Sequence, residues 1–380
     1  MAYFYFDNAA TTQLDEQVFH TMLPFLREHY GNPSSIHQLG QESKRAIETV
    51  REKVASILHC ASDEIYFTSG GSESDNMAIK GIAHRNQNRG NHIITSKVEH
   101  PAVLETCRQL EKEGFDVSYI EVDSLGRFDL EQLRRLLCER TILITLIFAN
   151  HEVGTIEPIQ EVGEIARAHH VCFHTDAVQA MGHIAVDVNK LHIDALSLSA
   201  HKFYGPKGVG AVYIKKDIAF DRHIDGGHQE RNKRAGTENV AGIVGLAKAL
   251  ELAHSGLEEK NQRVSKLRDY FEDALCKRVE LIKINGDVNN RIPGFSHFTI
   301  DGVRKDSLLL NLDLLKICAS GGSACTSGSL TPSHVLQAMG FSKEEEHSSL
   351  RISMGKNNTK QEIDYLLVHL EQIIKRLRNI

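Results

Sequence analysis

From about residue 14 to residue 255 the chain alternates short apolar runs with longer stretches of helical period. EIYFTS (64–69), NHIITSKV (91–98), DVSYIEV (116–122), TILITLIFA (141–149), VCFHTD (171–176), DALSLS (194–199) and GAVYIKK (210–216) read as strands. Most lead into helix-like segments, such as HPAVLETCRQLEKEG or IQEVGEIARAHH. Strand–helix repeats of this kind bury their strands in a mainly parallel sheet with helices on both faces, an α/β domain. Ligands of such sheets sit beyond the carboxyl ends of the strands. The residues just after each apolar run are therefore where chemistry should be sought. From about residue 256 the pattern changes. A charged helix leads into LIKIN and GFSHFTI, then the small-residue loop ASGGSACTSGS, the strand SLRISM and a last amphipathic helix. This predicts a large domain over 13–255 and a smaller α+β domain over 256–380, which the N-terminal residues 1–12 join through YFYFD.

Charge and cysteine content exclude several classes of function. A net charge of -6 over 380 residues leaves no basic footprint for nucleic acid. The seven cysteines are odd in number and include no C-x-x-C pair, which argues against a disulfide framework or a structural zinc site and for a reducing, cytoplasmic setting. The 21 histidines are scattered rather than strung as metal ligands. MAYFYFDNAATT has neither a basic start nor a long apolar core, so it does not read as a signal peptide. The longest apolar run, Ile142 to Ala149, is too short to span a bilayer.

Taken in order, the strand ends carry a set of reactive or ligand-binding side chains. Gly70-Gly71-Ser72 precedes a helix; its free N–H groups suit a phosphate, or it is a plain turn with Ser72 as cap. His100-Pro101 stands at another helix start, where an imidazole either stacks on a flat ligand or caps the helix. Asn150-His151-Glu152 follows the longest strand. Asp176, with Gln179 beyond it, either pairs with a cationic ring nitrogen or caps a helix. Ser199-Ala200-His201-Lys202 ends a fully apolar strand. Desolvation there makes a lysine nucleophilic toward aldehydes, unless it snorkels to water. A phosphate cup, a stacking imidazole, an acid for a ring nitrogen and an imine-forming lysine are together the parts of a pyridoxal-phosphate (PLP) site. Cys325 sits in the loop Ser320–Ser329, which has no large apolar anchor and so reads as mobile and exposed, where a thiol ionises and reacts. The other six cysteines (Cys60, Cys107, Cys138, Cys172, Cys276 and Cys318) fall in helix or strand patterns and are expected in the core. Arg351 offers a fork for a substrate carboxylate or a structural ion pair, and Asn32 offers an amide or an Asx turn.

These segments, in this order, resemble the cysteine desulfurases of the NifS/IscS type, within the class V aminotransferase group. The likeness covers DNAATT (7–12), GNPSS (31–35), TSGGSESDN (68–76), VEHPAV (98–103), HTDAVQ (174–179), SAHKFYGPKGVG (199–210), RAGTENV (234–240) and SGGSACTSGS (320–329). The resemblance implies the PLP-dependent fold type I, with a mainly parallel seven-stranded sheet, and a homodimer. It implies that Lys202 bonds the cofactor, Asp176 pairs with the ring nitrogen and Gln179 reaches the ring oxygen. Gly71, Ser72, Ser199 and His201 hold the phosphate, with Thr237 reaching the phosphate of the other subunit's cofactor. His100 stacks on the ring and shuttles protons, while Asn32 and Arg351 bind the carboxylate of L-cysteine. Cys325 takes the sulfur, and its persulfide is a transient iron–sulfur ligand. Where the family usually has two asparagines, this chain has Asn150-His151; both are assigned to the cofactor, His151 donating one hydrogen bond in place of the second amide. A U-type iron–sulfur scaffold or another sulfur acceptor is the implied partner, with no nucleic acid and no membrane. Two other classes compete: a transaminase or selenocysteine lyase, the first of which has no need of Cys325, and a non-catalytic iron–sulfur scaffold, for which three clustered thiolates are missing.

Overall fold

The computed structural model describes residues 3–322 and 332–379. Among the described residues twelve strands are formed: β1 (Phe4–Tyr5), β2 (Ile65–Thr68), β3 (His92–Ser96), β4 (Asp116–Ile120), β5 (Thr141–Ile147), β6 (Cys172–Asp176), β7 (Ala195–Ser199), β8 (Gly210–Ile214), β9 (Ile282–Asn285), β10 (Phe295–Ile300), β11 (Ile317–Cys318) and β12 (Ser349–Ser353). Seven of them make the central sheet, in the order β2-β8-β7-β6-β5-β3-β4. Only β8 runs against its neighbours; the other pairings are parallel. Each of these strands lies inside an apolar run that the sequence marks out. All seven residues of β5 are buried, as expected for a strand covered on both faces. With β8 the single exception, the ends of β2, β3, β5, β6 and β7 point to one edge of the sheet.

Helix starts follow ordinary capping chemistry. Asp15, His100 and Asp129 each accept a backbone N–H from the first turn that follows. Thr359 and Glu362 form a reciprocal capping box at the start of the last helix, Lys360–Arg378. That helix buries Ile363, Leu366, Leu367, Leu370, Ile373 and Ile374, an i, i+3, i+4, i+7 stripe, and ends in Lys375, Arg376 and Arg378.

A second apolar cluster packs this stripe with Phe6, Val264, Phe271, Phe298 and Leu350. β1 pairs with β11 in parallel, which ties the N-terminus to the C-terminal part of the chain. Beside it, β9, β10 and β12 form an antiparallel sheet. Ile292, Phe295, Val335, Leu336 and Met339 pack instead with the cluster around the central sheet. The helix His334–Ala338 is thus held against the large sheet. Among the described residues no single helix is long and apolar enough to cross a membrane.

The expectation that all the cysteines other than Cys325 are core residues needs correction. Cys107 is buried and Cys60, Cys172 and Cys318 are partly buried, but Cys138 and Cys276 are exposed. Cys138 lies in the turn after the helix Leu130–Leu136, and Cys276 lies near the end of the charged helix Leu257–Arg278, where apolar pattern says little about which face is wet.

Candidate active site

A cavity of about 160 Å³ opens at the carboxyl edge of the central sheet. It brings together Gly71, Ser72, His100, His151, Asp176, Gln179, Ser199, His201, Lys202 and Arg351, residues from six separate segments. A larger groove of about 550 Å³ lies at the opposite edge, by the starts of β5 and β6. There Lys215 is already paired with Asp194 and Asp217, and the position is the wrong end of a parallel sheet for a ligand.

The phosphate-type cup is backbone-built. Gly70, at φ 154°, precedes the helix Gly71–Asn86 and provides no side-chain cap. Ser72 therefore lies inside the first turn rather than capping it, as its sequence position had implied. A Cβ on Gly71 would come within 2.7 Å of the Val178 side chain, so a side chain here would require Val178 to shift. A Cβ on Gly210 would press within 2.7 Å of the Gly70 backbone, so β8 also needs glycine where it passes under the turn. The helix thus presents open N–H groups at its positive end, beside Ser199 and His201.

Asp176 ends β6 with 4% exposure and accepts the Val178 N–H at 2.9 Å. Burial pushes its pKa up to about 6, against the pull of that N–H and of Lys202. Next to it, Asp75 is 1% exposed, and its Oδ1 has no hydrogen-bond partner among the described residues. Burial, then the charge of Asp176, raises Asp75 well above the usual carboxylate range. Lys202 Nζ donates to the carbonyls of Ala9 and Ala10, at 2.5 and 3.0 Å, and Gln179 Nε2 donates to the Ala9 carbonyl at 2.9 Å. The DNAATT segment is thereby wrapped around the lysine turn, with Thr12 also bonded to the His201 carbonyl.

His100 and His151 face each other edge to face, with ring centroids 5.3 Å apart. The Nδ1 of His100 accepts the Ala102 N–H, which leaves its proton on Nε2. Burial, with Lys202 and His334 nearby, lowers its pKa to about 4, so the ring is neutral at pH 7. His201 is likewise lowered to about 4, by burial and Lys202. Burial also holds His151 well below the usual range, and neither of its ring nitrogens has a hydrogen-bond partner among the described residues. Arg351, 1% exposed, is an ion-pair residue in this structure. It donates to Asp7 Oδ1 at 3.0 Å and to the His151 carbonyl at 2.6 Å, while its Nε has no partner among the described residues.

Three assigned residues are not brought to the cavity. Asn150 spends its amide on the Val98 carbonyl and on the N–H groups of Glu152 and Val153, so it shapes the turn that delivers His151. Asn32 is exposed and forms an Asx turn, accepting the Ser34 N–H. Thr237 is exposed. Its segment is anchored three residues earlier, where Arg234 pairs with Glu73 on the first turn of the phosphate-cup helix. Cys325 lies outside the described residues.

Reading the sequence missed Asp75 as a cavity residue, although it stands inside the TSGGSESDN motif one turn past the glycines. It also missed the Ala9 and Ala10 carbonyls, which side-chain chemistry does not signal. Among the described residues no group of three His, Cys, Asp or Glu is arranged to hold a metal ion.

The fold and this set of side chains define an enzyme of the class-V aminotransferase type, and the chain belongs to that family, whose model matches residues 4–366. Within it, the chain is 52% identical to the cysteine desulfurase IscS of Dictyoglomus turgidum over 376 residues, covering 99% of this chain and 95% of that protein. It is 51% identical to the cysteine desulfurase IscS of Methanosarcina thermophila, covering 99% and 93% of the two chains. Among solved structures, a NifS-like protein superposes with a TM-score of 0.93 at 40% identity, covering 99% of this chain and all 100% of the other. SspA in complex with cysteine gives a TM-score of 0.83 at 36% identity, covering 93% and 99%.

Proposed function

We propose that this chain is a PLP-dependent cysteine desulfurase that converts L-cysteine to L-alanine and leaves the sulfur on Cys325 as a persulfide. The observation that carries the reading is one cavity holding Lys202, a buried carboxylate at Asp176 and an uncapped helix start, arranged around a space with no large side chain in it. The residues present fit the cofactor. The open N–H groups of the glycine turn suit its phosphate, and Gly71 keeps that approach clear. Asp176 offers a buried negative charge for a cationic ring nitrogen, an ion pair that relieves the cost of leaving that charge alone. The neutral His100 offers a flat face, and His151 has two ring nitrogens to spend on a polar ring substituent.

When bound, the cofactor supplies an aldehyde for an amine and an electron sink for the carbon beside it. The protein supplies the rest. Lys202 takes the proton from the substrate Cα and returns it. Arg351 orients the substrate carboxylate through its unpaired Nε, with Asp7 holding the guanidinium in place. The Cys325 thiolate attacks the substrate sulfur. The carbon–sulfur bond breaks, its electron pair stays on carbon and takes up a proton, and alanine leaves. The Nε2–H of His100 is placed to donate during these transfers.

The same reading gives finer assignments. Thr237, exposed on a segment fastened to the cup helix by Arg234, completes the phosphate site of a second copy in a homodimer. Asn32, exposed in its turn, joins Arg351 at the substrate carboxylate. The persulfide passes to a U-type iron–sulfur scaffold or a comparable sulfur acceptor. The identities to cysteine desulfurases over nearly the whole chain support the substrate and product.

A direct test uses Cys325→Ser and Lys202→Ala. The first is expected to keep the cofactor absorbance of the parent and to stop alanine release from cysteine. The second is expected to lose the covalently held cofactor. Normal turnover by either variant would refute the assignment.

A further inference from the structure

We propose that Arg234 is a positioning residue of the phosphate cup, acting through Glu73 on the glycine turn at the start of the helix Gly71–Asn86. The inference rests on the cofactor reading given above and deepens it. β2 stands at one end of the central sheet, so among the described residues one side of it has no strand to pair with. The segment 230–234 covers that side with charged groups instead. Glu230 Oε2 accepts the Phe67 N–H at 2.8 Å, and Arg51, paired with Glu230, donates to the Ile65 carbonyl at 2.7 Å. Two residues further along, the Ser69 N–H is taken by Glu73 Oε2 at 2.9 Å. Arg234 completes the contact from the same segment. Its Nε donates to Glu73 Oε1 at 2.7 Å and its Nη2 to Glu73 Oε2 at 3.2 Å.

Glu73 therefore reaches back from the first turn of the cup helix to the residue just before Gly70-Gly71. On the inner side of the same turn, Thr68 Oγ1 accepts the Gly70 N–H at 3.4 Å and shares a 2.7 Å hydrogen bond with Ser74 Oγ. The turn is thus held from both sides, and Arg234 fixes the outer support. Neither Glu73 nor Arg234 lines the cavity, so both act through the turn.

The ion pair also settles a conflict of charge. Glu73 is 12% exposed and Arg234 21%. Burial alone would raise the pKa of Glu73, but Arg234 and the Ser69 N–H outweigh it and hold the carboxyl below its usual range. Glu73 is thus an anion on the helix end that is to receive a phosphate. Two anions at one helix start repel each other. Arg234 cancels the Glu73 charge while leaving its oxygens on the turn, so the positive end of the helix stays available to the phosphate.

The test separates the phosphate from the rest of the cofactor. Pyridoxal has the same ring and aldehyde without the phosphate, and Lys202 bonds either molecule. Full-length protein stripped of cofactor is titrated with PLP and with pyridoxal, and the absorbance of the lysine-bound form is followed. Arg234→Ala leaves the Glu73 charge uncompensated and is expected to weaken PLP binding about ten-fold, with pyridoxal binding within about two-fold of the parent. Arg234→Gln is expected to behave alike and serves if Arg234→Ala does not fold. Adding Glu73→Gln to either removes the charge but keeps an oxygen for the Ser69 N–H. PLP affinity is then expected to return to within about three-fold of the parent. That rescue separates the Glu73 route from an effect through Thr237, which Glu73→Gln would leave uncorrected. Unchanged PLP affinity in the Arg234 variants overturns the inference, as does an equal loss for PLP and pyridoxal, or a double variant that stays weak. The parent run alongside distinguishes the two levels. A parent that forms no lysine-bound species with PLP removes the cofactor reading and this inference with it, whereas a parent that binds PLP beside unaffected Arg234 variants removes the inference alone.

Discussion

Replacing Asp176 with Asn should stabilise the cofactor-free protein while weakening the holoenzyme. The carboxyl is buried, and its pKa is raised from 3.8 to about 6. A carboxyl whose folded value lies above its unfolded value favours the fold at low pH. That benefit is fully present below about 3.8 and is lost as the pH rises through about 6. Above that window the ionised Asp176 costs the folded, cofactor-free chain about 3 kcal/mol relative to a group that stays neutral. Asn stays neutral and still accepts the Val178 N–H, so the variant should recover most of that difference at pH 8 and about half of it at pH 5. Over 380 residues this corresponds to a rise in Tm of about 4 °C at pH 8. Thermal melts of cofactor-stripped parent and variant at the two pH values are the assay. With cofactor present the order should reverse, because the amide offers no charge to a cationic ring nitrogen. A variant that gains nothing at pH 8, or gains equally at both pH values, would show that Asp176 carries no costly buried charge in the cofactor-free protein.

Two further outcomes are expected. Arg51 and Glu230 form a buried two-pronged pair, with both N–O distances 2.9 Å, and Glu230 also accepts the Phe67 N–H at the end of β2. Arg51→Ala leaves Glu230 unpaired and should cost about 3–5 kcal/mol in denaturant unfolding, whereas a loss under about 1 kcal/mol would contradict a buried role. His151→Ala should weaken cofactor binding about five-fold, the worth of one hydrogen bond, and His151→Asn should restore it; equal affinities in all three proteins would remove His151 from the cofactor site.

The strands were legible because a strand covered on both faces must be apolar along its length, and TILITLIFA has strand length, β-branched content and polar residues at both ends. Lys202 and Asp176 were legible for the converse reason. A charged group directly after such a run is costly unless something pairs with it. Single side chains at turns were harder to read. His100 caps its helix and lines the cavity at once, so its two readings were not exclusive. Arg351 likewise forms the bland ion pair and still faces the cavity. Asn150 and His151 are neighbours in sequence, yet the turn aims one amide at backbone and the other ring at the cavity. Nothing local to the pair decides which is which. The carbonyls that meet Lys202 come from residues about 190 positions away, a contact only the folded chain makes.

Everything rests on sulfur moving from bound cysteine to Cys325 at a lysine-held cofactor. Peptide mass analysis of the holoenzyme after a single turnover with cysteine, without reductant, tests this most directly. One extra sulfur atom is expected on the peptide carrying Cys325, in step with one alanine released, and neither in Lys202→Ala. Alanine released while that peptide stays unmodified and the extra sulfur appears on another cysteine would contradict it.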